Sequence, residues 1–408
     1  MLSAQAAEAI ILEQVAPPHQ QHIELVKLSE ATGRILAAPI TSELDFPHWD
    51  NSAMDGYAVR YADVAHSSAE HPVTLEVIEE IPAGYCPQKT IAPGQAARIF
   101  TGACLPPGAD TIVIQEDTQP DGDRIKILTT PQLRAFVRHQ GSYSRAGDPL
   151  LPPGISLGVA EIAVLAAAKC VSVPVYAKLK VALISTGNEL IPPEHPIAPG
   201  KLVDSNQYAL ASWVMQMGAE PLILGIIPDE PQALKTAIAK ALLTADIVLS
   251  TGGVSVGDYD YVGQILADLG GEILVNSVAV KPGKPLTFAT FPNCLYFGLP
   301  GNPVSALVTC WRFVQPALKK RSGLAGEFWG PEWWPVRSST ELRSGGKRET
   351  YLWGNLRSVN GETQFILAPG SQNSGNLINL AQTNALAMLP VGQTCTQAGE
   401  FVQILKVR

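Results

Sequence analysis

Between residues 178 and 322, short apolar runs alternate with amphipathic stretches. Val181-Ala-Leu-Ile-Ser, Leu222 to Ile227, Asp246-Ile-Val-Leu-Ser and Leu295-Tyr-Phe-Gly are short and almost wholly apolar, the pattern of strands buried on both faces. Between them apolar residues recur at helical spacing: Leu210, Val214 and Met217; Leu234, Ile238 and Leu242; Val262, Ile265, Leu266 and Leu269; Leu307, Val314 and Leu318. Ser205 and Asp229 stand where N-caps belong, and Gly218 and Gly270-Gly271 where helices stop. Asn302 and Pro303 open a long helix that ends in Lys319-Lys320-Arg321. Strands alternating with helices predict a central three-layer α/β domain over 178–324, with a mainly parallel sheet.

The flanking pattern differs. Over 47–148, runs such as Val73-Thr-Leu-Glu-Val-Ile, Ala97-Arg-Ile-Phe, Thr111-Ile-Val-Ile and Arg124-Ile-Lys-Ile-Leu are separated by Pro and Gly, which predicts a β-rich domain. A helix from Ser3 to Val15 ends at Pro17-Pro18. Another runs from Leu157 to Ala168, between Leu151-Pro-Pro-Gly and Val173-Pro. We expect 1–46 and 149–177 to form one discontinuous linker domain. Residues 325–408 return to short strands and turns, a small C-terminal β domain. The chain therefore reads as multidomain α/β plus β, and its 408 residues allow for that number of parts.

Charge narrows the function. The net charge of −8 argues against a dominant nucleic-acid role, which needs clustered Lys and Arg. Apolar runs such as Ile162 to Ala168 are too short to span a bilayer. No basic residue precedes Lys27, so the start does not read as a secretory signal. Six scattered cysteines without Cys-x-x-Cys disfavour a thiolate metal cluster and point to a reducing cytoplasm. The histidines show no His-x-x-x-His pair, so a zinc hydrolase is disfavoured.

The chemistry belongs beyond the carboxyl ends of the parallel strands. Four loops leave those ends: Thr186-Gly-Asn-Glu-Leu, Pro228-Asp-Glu, Thr251-Gly-Gly-Val-Ser-Val-Gly-Asp-Tyr-Asp and Leu299-Pro-Gly-Asn-Pro. Each joins small or rigid residues to a carboxylate or amide. Gly252, Gly253 and Gly257 allow close backbone approach, Thr251 and Ser255 offer hydroxyls, and Pro300, Gly301, Asn302 and Pro303 lead into a helix start. Glu189, Asp229, Asp258 and Asp260 supply the hard oxygen donors that Mg²⁺ takes. Such a set suits a phosphate-bearing ligand with its cation. Neither a Walker motif nor Gly-x-Gly-x-x-Gly is present, so P-loop and dinucleotide readings are disfavoured. Lys281 and Lys284 flank a rigid Pro-Gly turn and are placed to hold an oxyanion, either phosphate or a metal oxyanion.

Six segments carry a resemblance: Asp50-Asn-Ser-Ala-Met-Asp-Gly-Tyr-Ala, Phe100-Thr-Gly-Ala, Thr186-Gly-Asn-Glu, Ser250-Thr-Gly-Gly-Val-Ser-Val-Gly-Asp-Tyr-Asp-Tyr, Lys281-Pro-Gly-Lys-Pro and Gly298-Leu-Pro-Gly-Asn-Pro-Val-Ser. In this order and spacing they resemble the molybdopterin molybdenumtransferase family, which includes the E domain of gephyrin and of the plant fused enzyme. The resemblance covers nearly the whole chain. It implies an elongated four-part subunit and a homodimer with a composite active site. The implied reaction turns adenylylated molybdopterin and molybdate into molybdenum cofactor and AMP with Mg²⁺, with a molybdopterin-adenylating enzyme as substrate donor. It carries functional roles onto Asp55 and Thr101 in the β-rich domain and onto Glu189, Asp229, Asp260, Lys281, Pro300 and Pro303 around the sheet. Glu189, Asp229 and Asp260 are then the metal ligands. Gly346-Lys-Arg-Glu and Gln372-Asn-Ser-Gly resemble C-terminal family segments more weakly.

Two positions depart from the family pattern. Tyr143 stands where Arg-x-x-Gly-x-Asp places an acid, and Ser277 stands where many members have a base. Two other readings stay open on the residues: adenylylation of molybdopterin, and a non-catalytic carrier of the pterin.

Overall fold

A computed structural model of the protein describes residues 1–18, 22–253 and 261–407. The chain divides into two compact units, Met1–Ala38 with Pro153–Val159 and Ser172–Arg408, and Pro39–Pro152 with Ala160–Val171.

The larger unit is built on a six-stranded sheet in the order Glu220–Ile227, Lys180–Thr186, Ile247–Thr251, Leu295–Leu299, Pro285–Thr290, Glu272–Ser277. The first four strands are parallel to one another, and the last two pair antiparallel. That antiparallel pair was not legible in the pattern, because no helix separates Glu272–Ser277, Pro285–Thr290 and Leu295–Leu299 from one another. Side chains alternate along each strand. Leu183, Leu249 and Phe297 pack with Leu210, Val214, Val304 and Ile11 on one side. Ala182, Ile184, Val248 and Tyr296 pack with Leu234, Ile238, Val262 and Ile265 on the other. Burial on both faces is why these strands are uniformly apolar.

The helices follow the expected stripes, with two corrections at their starts. Asn206–Gln216 is capped by Asp204, whose Oδ1 accepts from Gln207 N at 3.2 Å, while Ser205 makes no capping bond. Pro231–Thr244 starts after Glu230, so Asp229 lies one residue too early to cap it. The long C-terminal helix is interrupted: Pro303–Thr309 and Gln315–Arg321 are joined by a π-turn, Cys310–Val314. Ser3 Oγ accepts from Ala6 N at 3.1 Å and starts the helix Ala4–Gln14, whose Ala4, Ala7 and Ile11 are buried.

Strands Glu349–Val359, Glu362–Leu367, Trp333–Ser338, Phe401–Lys406 and Ala385–Leu389 pair in a closed ring around Val336, Leu352, Phe365 and Ile404. Closure pairs each of the five strands on both sides for at least part of its length. Val280–Lys281 adds to it in parallel, with Val280 opposite Glu349 and Lys281 opposite Thr350.

The smaller unit holds a second six-stranded sheet, ordered Thr111–Ile114, Gly56–Val59, Gln95–Ile99, Val73–Ile81, Arg124–Ile127, Thr118–Asp121. It is antiparallel except where Val73–Ile81 meets Gln95–Ile99. Gly56 admits no side chain, since a Cβ there would lie 2.0 Å from the Val113 carbonyl oxygen. Among the described residues, no helix is long and apolar enough to cross a membrane.

Candidate active site

At the carboxyl ends of the parallel strands, the larger unit opens a cavity of about 630 Å³. Thr186, Thr251, Gly252 and Gly253 form one wall, and Pro300, Gly301, Asn302 and Pro303 another. Glu189 and Asp204 bring carboxylates to it. The two glycines are required. Gly252 has φ +85°, and a Cβ there would sit 2.4 Å from the Thr186 carbonyl oxygen; Gly253 has φ +65°. Thr186 Oγ1 donates to the Thr251 carbonyl at 3.3 Å, and Asn206 Nδ2 donates to the Gly301 carbonyl at 2.8 Å. Gly252 N donates to the Leu299 carbonyl at 3.3 Å, which ties the two loops to each other through backbone.

Asp229 does not line this cavity. It exchanges hydrogen bonds with the neighbouring loop: Asn188 N donates to its Oδ2 at 3.4 Å, and its own N donates to Asn188 Oδ1 at 3.2 Å. Lys201 Nζ closes the same loop onto the Asn188 carbonyl at 2.7 Å. Asp229 and Glu189 thus sit on bridged loops, with only Glu189 facing the cavity. Among the described residues, no group of three His, Cys, Asp or Glu is gathered to hold a metal. Ser255, Gly257, Asp258 and Asp260 lie outside the described residues.

Lys281 and Lys284 line a different cavity of about 780 Å³, between their turn and the barrel. Among the described residues its other basic groups are Arg343 and Arg348, its hydroxyls include Ser371 and Ser374, and its one carboxylate, Glu341, is paired with Arg343. Pro285 and Ser305 belong to both cavities, so the two adjoin. Sequence reasoning did not single out Arg343, and Ser305 lay at the end of the quoted segment Gly298-Leu-Pro-Gly-Asn-Pro-Val-Ser without a role. Arg348 lay within a quoted segment without a role, although the basic pair Lys347-Arg348 just before a β run was the available signal. Ser277 ends its strand half-buried, its carbonyl accepting from Leu2 N at 3.1 Å.

In the smaller unit, Asp55 and Thr101 are partners. Thr101 donates to Asp55 Oδ1 from its backbone N at 2.8 Å and from its hydroxyl at 2.7 Å. Those two donors, backbone first, hold the Asp55 carboxyl below its ordinary range, and the Arg98 charge adds to the effect. Asp50 is pushed up by partial burial, but the Gln140 amide and His139 outweigh that and hold it low. Tyr143 is 70% exposed and lines a shallow cleft with Phe46, His48, Trp49 and Arg138.

The sign for Asp55 follows. A lowered folded value means that its Thr101 contact is complete above the ordinary carboxylate pKa of 3.8 and is lost as pH falls through the folded value. In an acid titration followed at the Thr101 amide resonance, we expect a midpoint below 3.8, moving up in Thr101→Val when read at Asp55 itself. A wild-type midpoint at or above 3.8 contradicts the assignment.

A cavity at the carboxyl ends of parallel strands, walled by glycine loops and two carboxylates and adjoining a basic cavity, is the arrangement of a protein that handles an anionic small molecule. Three family models match in order: MoeA N-terminal region (domain I and II) over residues 2–168, a probable molybdopterin binding domain over 182–320, and MoeA C-terminal region (domain IV) over 335–407. A molybdopterin molybdenumtransferase from Nostoc sp. is 58% identical, over 95% of this chain and 89% of the relative. One from Synechococcus elongatus is 35% identical over 99% of both. The crystal structure of a molybdopterin biosynthesis moeA protein from Pyrococcus horikoshii OT3 superposes with a TM-score of 0.84 at 30% identity, over all of both chains. The chain belongs to the molybdopterin molybdenumtransferase family.

Proposed function

We propose that this protein inserts molybdate into adenylylated molybdopterin, releasing AMP and molybdenum cofactor. The observation that carries this reading is the pair of adjoining cavities that share Pro285 and Ser305. One offers glycine backbone and Glu189, which suits a diphosphate with its cation. The other offers Lys281, Lys284 and Arg348, which suits a tetrahedral dianion. A pterin lying across the shared wall brings its metal-receiving end to the oxyanion.

Glu189 in the cavity and Asp229 on the loop bridged to it would hold Mg²⁺ together with Asp260, while the other cavity carboxylate, Asp204, is engaged by Gln207. These carboxylates would hold a cation whose chemistry is to neutralise diphosphate charge. The backbone around Gly252, Gly253 and Gly301 orients the phosphates, and the lysines hold molybdate until the pterin is in place. Asp55, ionised at neutral pH with Oδ1 engaged by Thr101, acts as an acceptor rather than an acid. We place it in the same reaction through a homodimer in which one subunit's Asp55 and Thr101 complete the other's sheet-edge cavity. A molybdopterin-adenylating enzyme is the class of donor that supplies the substrate.

The experiment incubates the protein with adenylylated molybdopterin, molybdate and Mg²⁺, and measures AMP release and pterin-bound molybdenum. Both are expected to rise together; pterin retained without either product would make the protein a carrier. Asp55→Asn and Glu189→Gln are each expected to be inactive. Co-refolded, they form about half mixed dimers if pairing is random, and about a quarter of all sites carry neither lesion. Recovery near that level supports sharing between subunits. A dead mixture that demonstrably contains mixed dimers places the site within one subunit.

A further inference from the structure

The oxyanion cavity is backed by a buried polar cluster drawn from three distant parts of the larger unit. Arg312, on the π-turn, is buried. Its Nε donates to the Tyr351 hydroxyl at 2.9 Å, and the Tyr351 hydroxyl donates to Glu349 Oε1. Its Nη1 lies 2.8 Å from Glu8 Oε2 of the N-terminal helix, an ionic contact off the line of the N–H bonds. The guanidinium also lies over the rings of Phe313 and Trp333, at 5.2 and 5.7 Å. Burial raises the Tyr351 hydroxyl well above its ordinary pKa, so it remains a donor at every working pH.

Such a cluster is a poor source of net stability. Desolvating the charges offsets most of their attraction, and well-packed apolar residues would serve as well. What it does supply is direction. Glu349 and Tyr351 point to one face of their strand, toward Arg312. Arg348, Thr350 and Leu352 alternate with them; these three and Tyr351 border the cavity, Tyr351 with its hydroxyl engaged in the cluster. The same strand segment is the ladder partner of Lys281, through Val280 opposite Glu349 and Lys281 opposite Thr350. Arg348 Nη1 donates across that ladder to the Val280 carbonyl at 3.2 Å. Just before the π-turn, Thr309 lies directly beneath Gly283 of the lysine turn, where a Cβ would be 2.5 Å from Thr309 Oγ1. One helix therefore contacts both components of the basic wall, the turn through Thr309 and the strand through Arg312. The π-turn between them sets their relative register.

We propose that Arg312, anchored by Glu8 and acting through Tyr351 and Glu349, is a positioning residue that holds Lys281 and Arg348 at the spacing an oxyanion requires. The inference rests on the oxyanion reading of this cavity. The test uses the full-length protein with Tyr351→Phe and Arg312→Met. It reads molybdate affinity by calorimetry, KM for each substrate, kcat, and the thermal midpoint. Tyr351→Phe is expected to fold, with its thermal midpoint lowered by a few degrees as Arg312 Nε loses its acceptor. Its molybdate Kd and KM should rise roughly tenfold, the scale of one lost hydrogen bond to a charged group. Its kcat and its KM for the adenylylated pterin should not move. Arg312→Met should show the same split, more strongly; if it does not fold, Tyr351→Phe decides. Wild-type molybdate affinity in Tyr351→Phe overturns the inference while leaving the oxyanion reading intact. If the wild-type protein itself binds no molybdate, the oxyanion reading falls, and this inference with it.

Discussion

Alanine at both Lys281 and Lys284 will cut molybdate-dependent turnover by roughly 10²–10³-fold, with the loss concentrated in KM for molybdate. Both side chains are exposed on the turn and line the basic cavity, so the variant should fold as wild type. The magnitude follows from removing two of the four described cationic groups from around a dianion, in a cavity whose one carboxylate among the described residues is already paired. The binding half of the claim is checked by calorimetry with molybdate alone. An affinity equal to wild type would exclude this cavity as the oxyanion site. Reduced affinity with unchanged turnover would make it a store rather than a working site.

The second large effect is expected at Gly252. Alanine there must adopt φ near +85° and place its Cβ 2.4 Å from the Thr186 carbonyl oxygen and 2.8 Å from its hydroxyl. Backbone is the obstacle, so the loop must shift as a whole. We expect a destabilisation of about 2–4 kcal/mol and loss of most turnover. Gly200→Ala is the control, because Gly200 has a similar φ of +79° but nothing within 4 Å of the added Cβ. It should show the conformational cost alone, with activity retained. Equal thermal midpoints and equal turnover for the two variants would mean that the close approach to Thr186 does not shape the site.

The chain's own pattern determined a good deal. The apolar runs and helical stripes of 178–322 report burial through periods of two and 3.6, and both are local properties of the chain. The four loops at the sheet's carboxyl end were legible for the same reason: a strand followed by glycine or proline and then a helix places its loop at that end whatever the rest of the molecule does. Asp55 and Thr101 were singled out only through the family resemblance of the motifs around them, not by periodicity or punctuation.

Tertiary structure decided which of these residues share a space. Lys281 and Lys284 were expected with Pro300–Pro303, but they line a separate cavity against the barrel. Arg348 joins them because Glu349–Val359 pairs with Val280–Lys281, and nothing in the period of either segment specifies that pairing. Asp229 read as a helix cap. Its carboxylate instead meets the amide of Asn188, from a loop 41 residues earlier. The antiparallel strands of 272–290 and the π-turn beneath the lysines belong to the same class. A chain segment encodes its own burial and punctuation, whereas its partner across a ladder or a buried ion pair is chosen by packing between segments far apart in sequence.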